Sequence, residues 1–130
     1  MYIITYNKEE FEVDSFFEAL TYRFIAGIKD IDCIERSILL FVARKTGGFQ
    51  KLYDTLGREY IADQLAIGVA TLDRKMKQLI EKKYIYKVSS KGGSTINAKD
   101  KYSKFRLGDN IIIDVLENWK DIKENNGFSY

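Results

Sequence analysis

The side chains best suited to chemistry sit in one short stretch: Thr71, Asp73, Arg74, Lys75, Lys77 and Gln78. Their chemistry is recognition rather than bond-making. Arginine pairs bidentately with guanine, glutamine with adenine, and threonine or lysine reaches a flanking base or phosphate oxygen. Asp73 is the odd member: it would accept from cytosine, or pair with Lys77 four residues on. Val69 and Ala70 begin the same stretch and belong to its candidate contact surface. Groups for covalent chemistry are scarce. The chain has no histidine, the commonest acid–base catalyst and triad member. Cys33 is the only cysteine, so an internal disulfide is excluded and a zinc site has no ligand set. Beside Ile34 in a helical pattern, Cys33 is expected to pack. The acidic pairs Glu9/Glu10 and Asp30/Asp32 fall at segment ends, where carboxylates cap helices. No Gly-rich phosphate loop is present. These residues predict a non-enzymatic protein with no cofactor and no metal.

Charge places that stretch in a wider setting. The net charge of +2 is small, yet it is unevenly distributed. Residues 1–68 carry 8 Lys and Arg against 11 Asp and Glu, net −3; residues 69–106 carry 11 against 3, net +8; residues 107–130 carry 2 against 5, net −3. The basic block begins where the recognition-type residues begin, as a polyanion-binding surface would require. At 130 residues, 45% hydrophobic and 31% charged, the chain has the composition of one globular domain. It has no apolar run of the ~20 residues a membrane span needs. "MYIITYNKEEF" lacks a signal-peptide layout, so a cytoplasmic protein is expected.

The elements that position these residues follow from periodicity. "YIITYN" alternates as a short strand. "VDSFFEALTYRFIAGI" reads as a helix with a Ser15–Glu18 capping box, a stripe of Phe16, Leu20 and Phe24, and Gly27 at its end. A second helix opens on an Asp32–Glu35 box, buries Ile34, Ile38, Phe41 and Val42, and stops at Gly47-Gly48. After the loop "FQKLYDTLG", a short helix over 58–65 and a sharp turn at Ala66-Ile67-Gly68 lead into a long helix over 69–83. Gly68 is its N-cap, and Leu72, Met76, Leu79 and Ile80 form its buried stripe. The period then changes to two. "YIYKVSS" and "YSKFRL" form a hairpin around the polar tip "KGGSTINAKDK". Asn110 caps a last helix with Ile112, Val115, Leu116, Trp119 and Ile122 on one face, and the tail "KENNGFSY" frays. The 9 Tyr and 8 Phe are assigned to core packing, because Phe16, Phe24, Phe41 and Phe105 fall on apolar faces.

Helix, short helix, tight turn, long helix and hairpin is the order of a winged helix-turn-helix. Over 61–85 the chain resembles bacterial winged-helix proteins of pattern LA-x-x-LG-x-S-x-x-T-V-x-R-x-L-x-x-L-x-x-x-G-x-I. Ala62, Leu65, Thr71, Arg74, Leu79 and Ile85 match it, with Leu72 and Met76 as apolar equivalents. Ala66 replaces the turn glycine, Gly68 the capping serine, and Lys83 the glycine before the wing. If positions 66 and 83 keep a positive φ, their side chains are strained. A looser similarity, over about residues 38–107, is to origin-binding domains of phage and plasmid replication initiators. It rests on an R-x-T-x-G-x-x-K segment at Arg44, Thr46, Gly48 and Lys51.

These resemblances imply an α+β fold, mainly helical with a small hairpin wing, as one domain over 1–130. The core spans about 32–107, with extra N- and C-terminal helices in 1–31 and 108–130. They imply that the long helix enters the major groove of double-stranded DNA. The wing would lie over the backbone through Lys87, Lys91, Gly92, Gly93, Ser94, Lys99, Lys101 and Lys104, with Arg106 extending the surface. The expected role is DNA maintenance for a plasmid or phage: origin binding, partition or an accessory complex, together with other replication or maintenance proteins at the nucleoid. A transcriptional repressor is the alternative within DNA binding. A winged-helix protein-interaction module is the alternative outside it, and the +8 block argues against that module. A homodimer is expected, through either the first-helix stripe or the terminal stripe.

Overall fold

Tyr2–Tyr6 (β1) and Glu9–Val13 (β2) form an antiparallel hairpin in the computed structural model, which describes residues 2–47, 52–89 and 102–124. The two loop residues, Asn7 and Lys8, have φ of 51° and 65°. A two-residue turn with both φ positive matches the right-handed twist of the flanking strands. β2 was not expected, because "EEFEV" carries three glutamates.

Helix α1 (Ser15–Ala26) starts one residue earlier in its logic than the sequence suggests. Asp14 is the N-cap and accepts from Phe16 N at 2.9 Å, while Ser15 is already helical. Glu18 closes no box; it accepts from the Tyr22 hydroxyl at 2.7 Å. The buried stripe is Phe17, Thr21 and Ile25, with Phe16, Leu20 and Phe24 half-buried on its flank. In α2 (Cys33–Thr46) the expected box is present: Glu35 N donates to Asp32 at 2.7 Å, and Asp32 N donates to Glu35 at 3.0 Å. Ile38, Leu39, Val42 and Ala43 line the core beneath it. Cys33, expected to pack, is exposed.

The segment read as a loop supplies a strand. Asp54–Gly57 (β3) leads into α3 (Arg58–Gln64) and α4 (Val69–Glu81), followed by β4 (Ile85–Ser89) and β5 (Tyr102–Leu107). The sheet is antiparallel in the order β3-β5-β4, with Asp54 opposite Phe105 and Ile85 opposite Leu107. The sequence α2-β3-α3-α4-β4-β5 with this strand order is a winged helix-turn-helix. The extension before it is a hairpin plus one helix, where one short strand and one helix were expected.

Both turns bounding α4 are built alike. At the end of α3, Ala66 N donates to Asp63 O (3.1 Å) and Ile67 N to Ala62 O (3.0 Å). At the end of α4, Lys83 N donates to Ile80 O and Tyr84 N to Leu79 O, both at 3.0 Å. These are Schellman closures, whose left-handed residue is ordinarily glycine. Here it is Ala66 at φ 56° and Lys83 at φ 61°, so the strain anticipated for non-glycine residues is present. The left-handed conformation costs a residue with a Cβ roughly 1–2 kcal/mol. Part of the gain on removing it is offset by the freer unfolded chain. Ala66→Gly and Lys83→Gly are each expected to stabilise the fold by about 0.5–1 kcal/mol in urea titrations. A loss of stability in both would show that the Cβ contacts outweigh the strain.

Helix α5 (Asp109–Glu124) closes the molecule. Ile111, Ile112, Val115, Leu116 and Trp119 are buried in the same core as Val13, Phe17, Ile38 and Leu79. The Trp119 indole N–H reaches Glu12 O at 3.1 Å, and its ring meets Phe17 edge-on at 5.8 Å. Ile112, Val115, Leu116 and Trp119 of the terminal stripe are therefore consumed within the chain, while Ile122 is only half-buried. Asn110 does not cap α5; its side-chain amide donates to Lys82 O at 2.8 Å, tying α5 to the end of α4.

Candidate nucleic-acid interface

Helix α4 is held from three sides, and those attachments decide which of its polar residues face outward. Leu72, Met76 and Leu79 fix its inner stripe. Arg58 of α3 forms a two-pronged ion pair with Asp73, with Nε to Oδ1 at 3.0 Å. Asp73 thus neither pairs with Lys77 nor stands free for cytosine. Lys75 pairs with Asp32 at the start of α2. The Asp32 carboxyl is held below the usual range by the Glu35 backbone N–H first and by Lys75 second. Lys82 donates to Asp30 O and lies 3.6 Å from Glu35. The Tyr84 hydroxyl donates to Asp30 at 2.7 Å, and that carboxylate pushes it up to about 12. Lys75, expected to meet DNA, is instead a strut between α4 and the α1–α2 loop.

Arg74 and Lys77 remain exposed on the outward face, flanked by partly exposed Thr71 and Gln78. Ala70 is exposed beside them and Val69 is half-buried. Gly68 gives α4 no side-chain cap, and the space beside its Cα is open. The first-turn N–H groups therefore suit a phosphate oxygen, favoured also by the helix dipole.

The wing divides less evenly than expected. Lys104 is exposed, with its ammonium 5.1 Å from the Tyr53 ring. Lys87 is buried at 7%, because it shares the inward face of β4 with Ile85. Its assignment to the DNA surface is corrected on that ground. Arg106 is likewise buried at 8%. It donates to Leu107 O (2.7 Å), Asp109 (3.1 Å) and Tyr53 (3.2 Å), and lies 4.5 Å from the Tyr86 ring. It braces the wing rather than extending its charged surface. Lys91, Gly92, Gly93, Ser94, Lys99 and Lys101 lie outside the described residues, as do Gly48 and Lys51. Thr46 is buried and hydrogen-bonded to Val42 O, and Arg44 is exposed. Two residues that shape the site went unnoticed in the sequence. Arg58 sets the angle between α3 and α4, and Tyr86, 44% exposed, shares the outer sheet face with Lys104.

Among the described residues, no cluster of three or more metal-ligating side chains occurs, and no helix is long and apolar enough to cross a membrane. Fold and surface together define a winged helix-turn-helix with a cationic, hydrogen-bonding second helix. No family model and no curated protein matches the chain. Among solved structures, it is similar to a chain described as a possible transcriptional regulator from Methanosarcina mazei Go1. The TM-score is 0.44 at 14% identity, over 98% of this chain and 96% of that one. Such a distant likeness carries no functional weight.

Proposed function

We propose that this chain is a non-enzymatic, sequence-specific double-stranded-DNA-binding protein. The observation that carries the reading is the outward face of α4. After packing and ion pairing are complete, that face still offers Arg74, Lys77, Thr71 and Gln78 together. The major groove is of a width to admit such a helix, and in this element order the second helix of the pair is the one that would enter it. Lys104 and the lysines of the wing tip would follow the backbone. For the process we keep the plasmid or phage maintenance reading, with the protein held at the nucleoid by its sites. Arg44 is the cation that the initiator-like segment contributes among the described residues. Footprints on clustered repeats would support maintenance, and footprints on isolated palindromes beside promoters would support a repressor.

Salt titration tests DNA binding itself. With about 5 phosphates neutralised, log K should fall against log[salt] with a slope near −4 to −5, and Lys104→Ala should reduce it by about 1. Binding that ignores salt, or no binding to any duplex at low salt, would overturn the reading.

A further inference from the structure

The outer face of the wing sheet carries an arrangement that the reading face of α4 does not use. Strand register lays it out in two rows. Arg106 of β5 lies opposite Tyr86 of β4, and Lys104 lies between Val88 of β4 and Thr55 of β3. Tyr53, just before β3, joins the first row. Its hydroxyl accepts from Arg106 Nε at 3.2 Å, and its ring lies 5.1 Å from the Lys104 ammonium. The face of an antiparallel sheet turned from the core ordinarily carries polar side chains. Here it interleaves two aromatic rings with two cations.

The rings have a fixed seat. The Arg106 guanidinium, buried beneath them, lies 4.5 Å from the Tyr86 ring and 5.8 Å from the Tyr53 ring. Tyr86 is nonetheless exposed, so its ring is held from one side and open on the other. A ring fixed in advance loses little freedom when a ligand settles on it. Charge is left over as well. Asp109, the carboxylate that reaches Arg106, also accepts from the Tyr6 hydroxyl. Asp54 belongs by alternation to the row of Phe105 and Lys87. Lys104 closes no ion pair among the described residues.

Such a face selects its ligand by two features at once. Surplus positive charge favours an anion, and an open aromatic ring favours a flat π system. An acidic peptide supplies only the first, and a duplex keeps the faces of its bases inside the stack. A single strand supplies both, because its bases stack on aromatic side chains while its phosphates follow the cations. Tyr86 and Lys104 are diagonal neighbours across the strand pair, at the about 7–8 Å usual for such positions. One nucleotide can bridge that separation between its base and a phosphate.

We propose that the outer face of the wing sheet binds single-stranded DNA, with an unpaired base stacked on Tyr86 and the adjoining phosphate on Lys104. Tyr53 holds the Lys104 ammonium in place beside the platform. The site uses none of Arg74, Lys77 or Gln78. Only the choice of DNA over RNA rests on the duplex reading; single-strand binding is measured on oligonucleotides that cannot pair, so the two readings fail separately.

Fluorescence anisotropy of a labelled oligothymidylate of about 12 nucleotides, titrated with the full chain, tests it. The wild type should bind at low salt, and Tyr86→Ala should weaken binding about 5- to 150-fold, the usual loss of one base–aromatic stack. Tyr86→Leu still covers Arg106 but offers no π face, and should act in the same direction, whereas Tyr86→Phe should retain binding. Lys104→Ala should reduce the salt slope by about 0.7, the value for one phosphate of a single strand. An abasic oligomer of equal length should bind the wild type no more tightly than oligothymidylate binds Tyr86→Ala. Circular dichroism should show each variant folded. Absence of oligothymidylate binding at low salt would overturn the proposal, as would folded Tyr86→Ala and Tyr86→Leu variants that bind like the wild type. Equal affinity for the abasic oligomer would leave charge attraction alone and overturn the stacking. An RNA oligomer of the same length bound more tightly than the DNA would overturn the assignment to DNA.

Discussion

Gly108→Ala is expected to destabilise the protein by about 3 kcal/mol, at the upper end of the range for overpacked sites. A Cβ at Gly108 would lie 2.1 Å from Lys83 O, 2.5 Å from Lys83 C and 2.7 Å from Tyr84 C. All three are backbone atoms, so no side chain can rotate aside. The collision falls where the main chain leaves α4 for β4, already strained by the positive φ of Lys83. It also threatens the bond from Gly108 N to Tyr84 O (2.7 Å) and that from Asn110 N to Lys83 O (3.1 Å). For a domain of this size the loss corresponds to a Tm lower by roughly 10–15 °C. Thermal unfolding by calorimetry measures it. A shift of only a degree or two would show that the junction yields freely and that this glycine is not required by its surroundings.

The second large effect concerns binding. Arg74→Ala and Gln78→Ala should each reduce specific affinity by about 1–3 kcal/mol, roughly 5- to 150-fold, and relax preference at particular base pairs. Their folding stability should stay within about 0.5 kcal/mol of wild type, because neither side chain is buried in the core. Lys75→Ala offers the contrast. Its ammonium is bound to Asp32, so its loss should not relax preference at any base pair. Binding assays on a selected site and on single-base variants separate these cases. Unchanged affinity in both Arg74 and Gln78 variants would remove α4 as the reading element.

Local signals were legible in the sequence and distant ones were not. The Asp32–Glu35 box depends on residues three apart, and it formed as read. The turns around α4 were also legible, including the strain at Ala66 and Lys83, because the family pattern marks those positions. The cap of α1 moved from Ser15 to Asp14 because both residues have a side-chain oxygen suited to capping. The inward stripe is set by packing against distant elements, which buries Phe17, against Trp119, in place of Phe16. β3 is only four residues, and its partner β5 lies nearly fifty residues on, so no local alternation announced it. In the candidate site, the kinds of residue were readable but their orientation was not. Lys75 and Asp32 are 43 positions apart, and Arg58 and Asp73 are 15. Lys87 is different. Alternation from Ile85 places it inward, and its charge obscured a pattern that was present.

The grip of Lys75, Lys82 and Tyr84 on residues 30–32 bears on modularity. The helix-turn-helix looks like a cassette in the sequence, with dispensable flanks on either side. Its second helix is nevertheless bolted to a loop that belongs to one flank, and its C-terminal turn is stitched to Gly108 and Asn110 in the other. A fragment trimmed to residues 32–107 would lose Asp30 and every α5 side chain of the common core. A chimera that grafts a foreign α4 onto this frame must therefore carry over the three struts as well as the reading face, since contacts outside the motif hold the helix in place alongside the Arg58–Asp73 pair within it.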